Sequence, residues 1–344
     1  MKSALSASSA KPYGNGGFRA RVTRASQPMP SDPCPKDFLS LRDFTSAQVD
    51  DVLRLAARLK QERRLGRRAP TASALAAVHV ALLFEKPSLR TRATFEIAVR
   101  ELGGDVIVPP QDVSLGSRET PADVARNLER WVAAVVIRTF AQSRLESFAH
   151  AAPRLHVINA LTDEEHPCQA VADLLTLQEL WGTLRGQTIA YVGDGNNVAT
   201  SLVHAAMLTG MHIRVAAPEG YELPAHVRAD AARLSQHGAT LTCVRDPREA
   251  VKDAGAIYTD VWTSMGQEAQ ADDRQRIFQP YQVNASLMAD ASPDAVFMHC
   301  LPAHRGDEVT DDVLDAQYSV VFDQAENRLH AQKALLLMLI GNAR

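Results

Sequence analysis

The sequence predicts an α/β protein of two doubly wound parallel-sheet domains joined by a long interdomain helix. Three observations carry this expectation. Strand-like apolar runs alternate with helix-patterned segments from Thr45 onward, the pattern of parallel sheets with helices on both faces. The 344 residues exceed what a single hydrophobic core usually serves. The residues able to do chemistry fall in turns just after strands, where ligands of such sheets bind.

Thr45 and Gln48 make a capping box for an amphipathic helix through about Leu65. Strand-like Val78 to Phe84 follows, then a helix from about Thr91 to Leu102 and a short strand from Asp105 to Pro109. Thr120, Pro121 and Asp123 open the next helix, because proline suits the first helical position and an acid suits the positive end of the helix dipole. Strand Ala133 to Ile137, helix Ser143 to His150 and strand Leu155 to Asn159 complete the first set. A long helix from about Pro167 to Leu180 leads to the second set. This comprises strand Thr188 to Val192, helix Asn197 to Leu208, strand His212 to Ala216, helix Pro224 to Gln236 and strand Thr240 to Val244. Strands Ala256 to Val261 and Ala295 to His299 and a closing helix from about Ala325 to Leu339 end the chain. The expected division is a tail over 1–36, a first domain over 37–166, the interdomain helix over 167–182, a second domain over 183–322, and a helix over 323–344 that returns to the first domain.

Composition narrows the function classes. With 46% hydrophobic and 22% charged residues the chain reads as an ordinary enzyme, and a net charge of -3 gives no reason to expect nucleic acid or an anionic membrane as partner. No apolar run approaches the ~20 residues that span a bilayer. Cys34, Cys168, Cys243 and Cys300 stand apart with no C-x-x-C pair, which indicates neither a structural zinc site nor a disulfide framework and favours a reducing, cytoplasmic setting. Before Asp32 there is no acid, while Lys2, Lys11, Arg19, Arg21 and Arg24 are basic. Such a tail fits a disordered segment, an over-long start or an organelle transit peptide.

Five turns and one helix start hold the candidate site. Ser88-Leu89-Arg90-Thr91-Arg92 ends a strand and opens a helix, so backbone N–H groups, hydroxyls and guanidiniums converge as a phosphate would require. Arginine is otherwise a poor choice beside the positive end of a helix dipole. Arg138 follows a strand, as do His166-Pro167-Cys168-Gln169, Gly193 to Asn197, Asp260 to Gly266, and His299 to Arg305. The strand, G-x-G and helix at Gly193 invite a dinucleotide reading, but Asp194 would oppose a pyrophosphate and Val198 stands where the third glycine belongs. Asn196 and Asn197 suit a small polar ligand instead.

These motifs resemble the carbamoyltransferase family over about residues 37 to 342. The resemblance rests on Ser88 to Arg92, His166 to Gln169, Asp260 with Ser264-Met265-Gly266, His299-Cys300-Leu301-Pro302 and Glu326-Asn327-Arg328, the later motifs pointing to the ornithine branch. It implies transfer of the carbamoyl group of carbamoyl phosphate to the δ-amine of L-ornithine, giving L-citrulline and phosphate in arginine metabolism. By that resemblance Ser88, Leu89, Arg90 and Thr91 hold the phosphate, and Arg138, His166 and Gln169 hold the carbamoyl end. Arg328, Cys300 and Leu301 border the same group. Catalytic roles fall to Arg138, His166, Cys300 and Arg328. Asn197, Asp260, Ser264 and Met265 resemble the ornithine set, and the 37–166 and 183–322 domains become the carbamoyl phosphate and ornithine domains. No cofactor or metal is implied. The resemblance further implies a homotrimer, or a multiple of trimers, with sites at subunit interfaces. Ser114 departs from the family, where many members place a glutamine that reaches a neighbouring subunit. Ser264 to Gly266, followed by polar Gln267 to Arg276, reads as a mobile lid. The alternatives are a carbamoyltransferase acting on N-acetylornithine or putrescine, and a non-catalytic carbamoyltransferase-like sensor.

Overall fold

The computed structural model describes residues 34–109, 119–263 and 268–341. The expected tail up to 33, Ser114, and Ser264 to Gln267 lie outside the described residues.

Two parallel sheets form the framework. The first has strand order β2-β1-β3-β4, from β1 (His79–Phe84), β2 (Asp105–Ile107), β3 (Ala134–Arg138) and β4 (His156–Leu161). The second has order β7-β6-β5-β8-β9, from β5 (Thr188–Val192), β6 (His212–Ala216), β7 (Thr240–Val244), β8 (Ala256–Thr259) and β9 (Val296–His299). β3 and β8 are buried along their whole lengths, which is why they read as continuous apolar runs rather than alternating ones.

Around the first sheet lie α1 (Ser46–Glu62), α2 (Leu89–Glu101), α3 (Pro121–Leu128) and α4 (Gln142–Ala151). The capping box expected at Thr45 and Gln48 is formed. The connecting helix α5 (Pro167–Trp181) is buried on all sides from Pro167 to Leu177, so it serves as core for both halves. α6 (Asn197–Thr209) and α7 (Ala225–Leu234) flank the second sheet.

Four short helices went unforeseen: α8 (Pro247–Val251), α9 (Ala271–Phe278), α10 (Ala285–Met288) and α11 (Asp311–Leu314). With one or two turns each, they are too short for a 3.6-residue period to emerge. β2 stops at Ile107 rather than Pro109, as proline has no N–H for the ladder. β8 stops at Thr259, not Val261, which frees Asp260 for the site.

The closing helix α12 (Val321–Ile340) packs against α1, α2 and α5. Polar bonds fix its seat: Asn327 Nδ2 donates to Thr176 Oγ1 at 3.0 Å and to Glu179 at 2.8 Å, Lys60 Nζ donates to Asn327 Oδ1 at 2.8 Å, and Lys333 pairs with Glu101 at 3.1 Å. Asn327 and Lys333 thereby keep partners for their buried polar groups, where an unmet one would cost stability.

The turn after β5 depends on one glycine. A Cβ at Gly195 would stand 2.5 Å from the backbone of Glu222 and Leu223, which cannot retreat without moving the loop before α7. Gly195→Ala is expected to cost about 1–3 kcal/mol through that overlap. A urea titration checks this, with an unchanged midpoint contradicting the close-approach account.

Candidate active site

The strand ends of the first sheet build one wall. Phe84 at the end of β1 is in register with Arg138 at the end of β3. The Glu85 N–H then donates to the Arg138 carbonyl at 2.9 Å, carrying the pairing past the strand. Ser88 is the N-cap of α2, yet its hydroxyl makes no capping bond, and the first N–H groups of the helix have no intrahelical acceptors. Leu89 is 80% exposed, so its backbone rather than its side chain concerns the site. Among the described residues neither Arg90 nor Arg92 pairs with a carboxylate. The sequence-predicted phosphate turn is thus an open helix start with uncompensated positive charge.

Thr91, Gln169 and Arg328 are brought into direct contact from three separate helices. Arg328 of α12 donates through Nη2 to Thr91 Oγ1 and through Nη1 to Gln169 Oε1, the latter at 2.6 Å. Arg328 and Arg138 are 3% and 7% exposed, and the Nε of each has no partner among the described residues. Burial, then the Arg328 charge, pushes Arg138 down to about 10, which still leaves it protonated at neutral pH. Burial and the same two guanidiniums hold His166 well below the ordinary imidazole range. His166 is therefore a neutral hydrogen-bonding group at neutral pH. Its backbone N–H donates to Ser201 Oγ at 2.8 Å, and Ser201 in turn donates to Glu165 at 3.2 Å, which fixes the turn that presents the ring.

The second sheet contributes an acid and a thiol. Cys300 Sγ donates to Asp260 Oδ1 at 3.0 Å, and Asn196 Nδ2 donates to Asp260 Oδ2 at 2.8 Å. Burial, then the Asp260 carboxylate, pushes the Cys300 thiol well above its ordinary range, so the resting group is a thiol. Asn196 caps α6, accepting from the N–H groups of Val198 and Ala199 and from the Tyr191 hydroxyl. The sequence singled out Asn197 for the ligand. One of its amide hydrogens goes to the Thr162 carbonyl at 2.6 Å, leaving the other and its Oδ1 for further bonding.

The turn after β9 is braced from within. The Leu301 N–H donates to His299 Nδ1 at 2.9 Å, His299 Nε2 lies 3.2 Å from the buried Glu308, and the His304 N–H donates to Glu308 at 2.6 Å. Leu301 takes φ +58°, a left-handed conformation that costs an ordinary residue about 1–2 kcal/mol. Asp260, His299 and Cys300 could by spacing surround a cation, with ligand atoms within 4.8 Å of one another. Both ring nitrogens of His299 and the Cys300 hydrogen are already committed to the bonds above.

The lid expected over Ser264 to Arg276 is corrected in its second half. Residues from Ala271 form α9, and Arg274 is buried, bonded to the Trp262 carbonyl and paired with Asp194. A charged residue buried against an acid holds this segment in place, and polar composition alone hid the anchor. Ser264 and Met265 lie outside the described residues.

Sequence reasoning also missed Asp173, Gln324, Glu308 and the role of Asn196 as orienter of Asp260. Asn196 directly before a helix carried an N-cap signal. Asp173 lies four residues after Gln169, the spacing of helical neighbours. Gln324 and Glu308 act through the fold and left no local pattern.

Comparison with known proteins places both halves in one family. Residues 36–179 match the aspartate/ornithine carbamoyltransferase carbamoyl-P binding domain, and residues 185–339 match the Asp/Orn binding domain of the same family. The chain is 48% identical to the ornithine carbamoyltransferase of Anoxybacillus flavithermus over 307 residues, covering 89% of this chain and 96% of that protein. It is 48% identical to the ornithine carbamoyltransferase of Archaeoglobus fulgidus, covering 89% of this chain and 98% of that one. The solved ornithine carbamoyltransferase from Pyrococcus furiosus superposes with a TM-score of 0.86 at 47% identity, over 90% of this chain and 98% of that structure.

The thiol assignment has a direct check. Asp260→Asn removes the charge that opposes ionisation of Cys300, so the thiolate fraction at mildly alkaline pH should rise. Alkylation of the Cys300 peptide by iodoacetamide, followed by mass spectrometry, should speed up several-fold; an unchanged rate would contradict the electrostatic coupling.

Proposed function

The chain belongs to the aspartate/ornithine carbamoyltransferase family, and on that premise we propose that it transfers the carbamoyl group of carbamoyl phosphate to the δ-amine of L-ornithine, giving L-citrulline and phosphate. The observation that carries this reading is the bonded set of Thr91, Gln169 and Arg328 at the start of α2, with Arg138 and His166 beside it. Such a cluster suits an anionic acyl phosphate.

In this reading the phosphate lies on the N-terminus of α2, held by the first backbone N–H groups and by Ser88, Arg90 and Thr91. Attack on the carbamoyl carbon builds charge on its oxygen, and Arg138, Arg328 and neutral His166 are the donors that meet it. One such donor is commonly worth about 3 kcal/mol, or 10²- to 10³-fold in rate. Gln169, Cys300 and Leu301 border the same acyl group. Asp260 is the counter-ion of the ornithine α-ammonium, Asn197 bonds the α-carboxylate, and Ser264 and Met265 complete the ornithine set. N-Acetylornithine lacks the ammonium that Asp260 would meet, and putrescine lacks the carboxylate.

The nucleophile must be the neutral amine, the minor form of a group with pKa about 10.4. Cys300, held as a thiol, is not its resting base. The proton shed as the C–N bond forms passes to the departing phosphate. The remaining parts of the proposal are the 37–166 and 183–322 boundaries for the two substrate domains, a homotrimer in which sites lie at subunit interfaces, and a cytoplasmic location. They are supported by the family match. No helix among the described residues is long and apolar enough to cross a membrane.

Purified chain should form citrulline from carbamoyl phosphate and L-ornithine, with N-acetylornithine, putrescine and aspartate giving none; turnover of another amine alone would overturn the acceptor. Arg90→Ala should lower kcat/KM for carbamoyl phosphate by about 10²-fold or more, as expected for a charge-assisted phosphate contact. Asp260→Ala should chiefly raise the KM for ornithine. Initial rates should climb from neutral to alkaline pH as the δ-ammonium deprotonates, and a rate that falls over that range would contradict the neutral-amine requirement.

A further inference from the structure

Asp173 lies one turn beyond Gln169 on α5 and is wholly buried. Its Oδ1 accepts from Gln169 Nε2 at 2.8 Å and from Gln324 Nε2 at 2.7 Å. Gln324 Nε2 also donates to the Tyr258 hydroxyl at 3.1 Å, and its Oε1 accepts from the His299 N–H at 3.1 Å. A carboxylate is costly to bury with no cation in contact. The cost registers in Asp173 itself, which burial pushes up to about 7.

The two ends of a glutamine amide are alike in shape and opposite in hydrogen bonding, so its neighbours decide which end faces a ligand. The ionised carboxylate only accepts, and it receives the NH2 of Gln169. Arg328 only donates, so it must face the oxygen, as the 2.6 Å bond to Gln169 Oε1 requires. Both neighbours demand the same orientation. The carbonyl oxygen is thereby turned to the acyl side of the site, where one of its two lone pairs serves Arg328 and the other remains for a donor.

We propose that Asp173 is a positioning residue that locks the Gln169 amide with its oxygen toward the acyl group, and so makes the site select acyl phosphates that carry N–H on the acyl carbon over those that carry a methyl. The proposal rests on the carbamoyl phosphate reading of the same site and deepens it into a specificity device. A site built to accept a hydrogen bond rejects the analogue lacking the donor more strongly than size alone would allow, because its acceptor is then left bare.

The test uses two stable phosphonates that differ in NH2 against CH3, phosphonoacetamide and 2-oxopropylphosphonate, titrated calorimetrically into the full chain. Wild type should prefer the amide by about tenfold, the worth of one well-made hydrogen bond. Asp173→Leu frees the NH2 end and leaves Arg328 alone to hold the amide, so the preference should fall several-fold, while Asp173→Asn, which still offers an oxygen to Gln169, should restore most of it. If the leucine variant does not fold, Asp173→Ala gives the same reading with room to spare. Gln324→Leu removes the other amide on Asp173 and leaves Gln169 held, so its preference should match wild type. An unchanged preference in Asp173→Leu, or an equal loss in Gln324→Leu, overturns the proposal, the second because loosened packing would then account for the effect. A wild-type chain that binds neither phosphonate would overturn the carbamoyl phosphate reading itself.

Discussion

Two buried guanidiniums, with no carboxylate among the described residues paired with either, are the constraint on which the site depends. Arg138 and Arg328 lie at the carboxyl ends of the first sheet and on the closing helix, and the second of them donates to two neutral groups, Thr91 and Gln169. Burying like charges is unfavourable, and the cost is visible in the depressed ionisation of Arg138 and in the neutral state forced on His166. An acid placed against either guanidinium would relieve the strain and quench the site for anions. The acid nearest in the network, Asp173, is instead set one residue back, behind the Gln169 amide.

The rest of the architecture follows from holding that arrangement. Arg328 reaches the site only because α12 packs into the helices of the first sheet, where Asn327 bonds the buried Thr176 hydroxyl and Glu179, and Lys333 pairs with Glu101. The second sheet supplies the opposite electrostatic character: Asp260 collects two neutral donors, Asn196 and Cys300, and among the described residues no cation. One half thereby presents buried cations and the other an acid met by neutral donors, and α5 joins them as a common core. Burial, and after it the charge on Asp260, keeps Cys300 protonated and so limits the chemistry open to it.

Much of this was legible in the sequence because it is local. Long apolar strands, the Thr45 capping box, and the strand-end motifs at Ser88, His166 and Asp260 all signal through neighbours in the chain. The contacts that give those residues their roles are not local. Thr91 and Arg328 are far apart in sequence yet share a bond, and no period or motif announces it. Polar composition suggested a free lid up to Arg276, whereas burial of Arg274 against Asp194 anchors the latter part as a helix. The orientation of Gln169 could not be read from residue types, since it follows from which neighbours accept and which donate.

The central claim is that the buried guanidiniums serve an anionic ligand rather than the fold. The direct measurement is the urea unfolding midpoint of wild type and Arg138→Gln, each with and without saturating phosphonoacetamide. The account predicts that ligand-free Arg138→Gln is as stable as wild type or more so, because a buried like charge has been removed, and that it loses most of the stabilisation the ligand confers on wild type. A variant markedly less stable without ligand, or one stabilised by the ligand as fully as wild type, would contradict it.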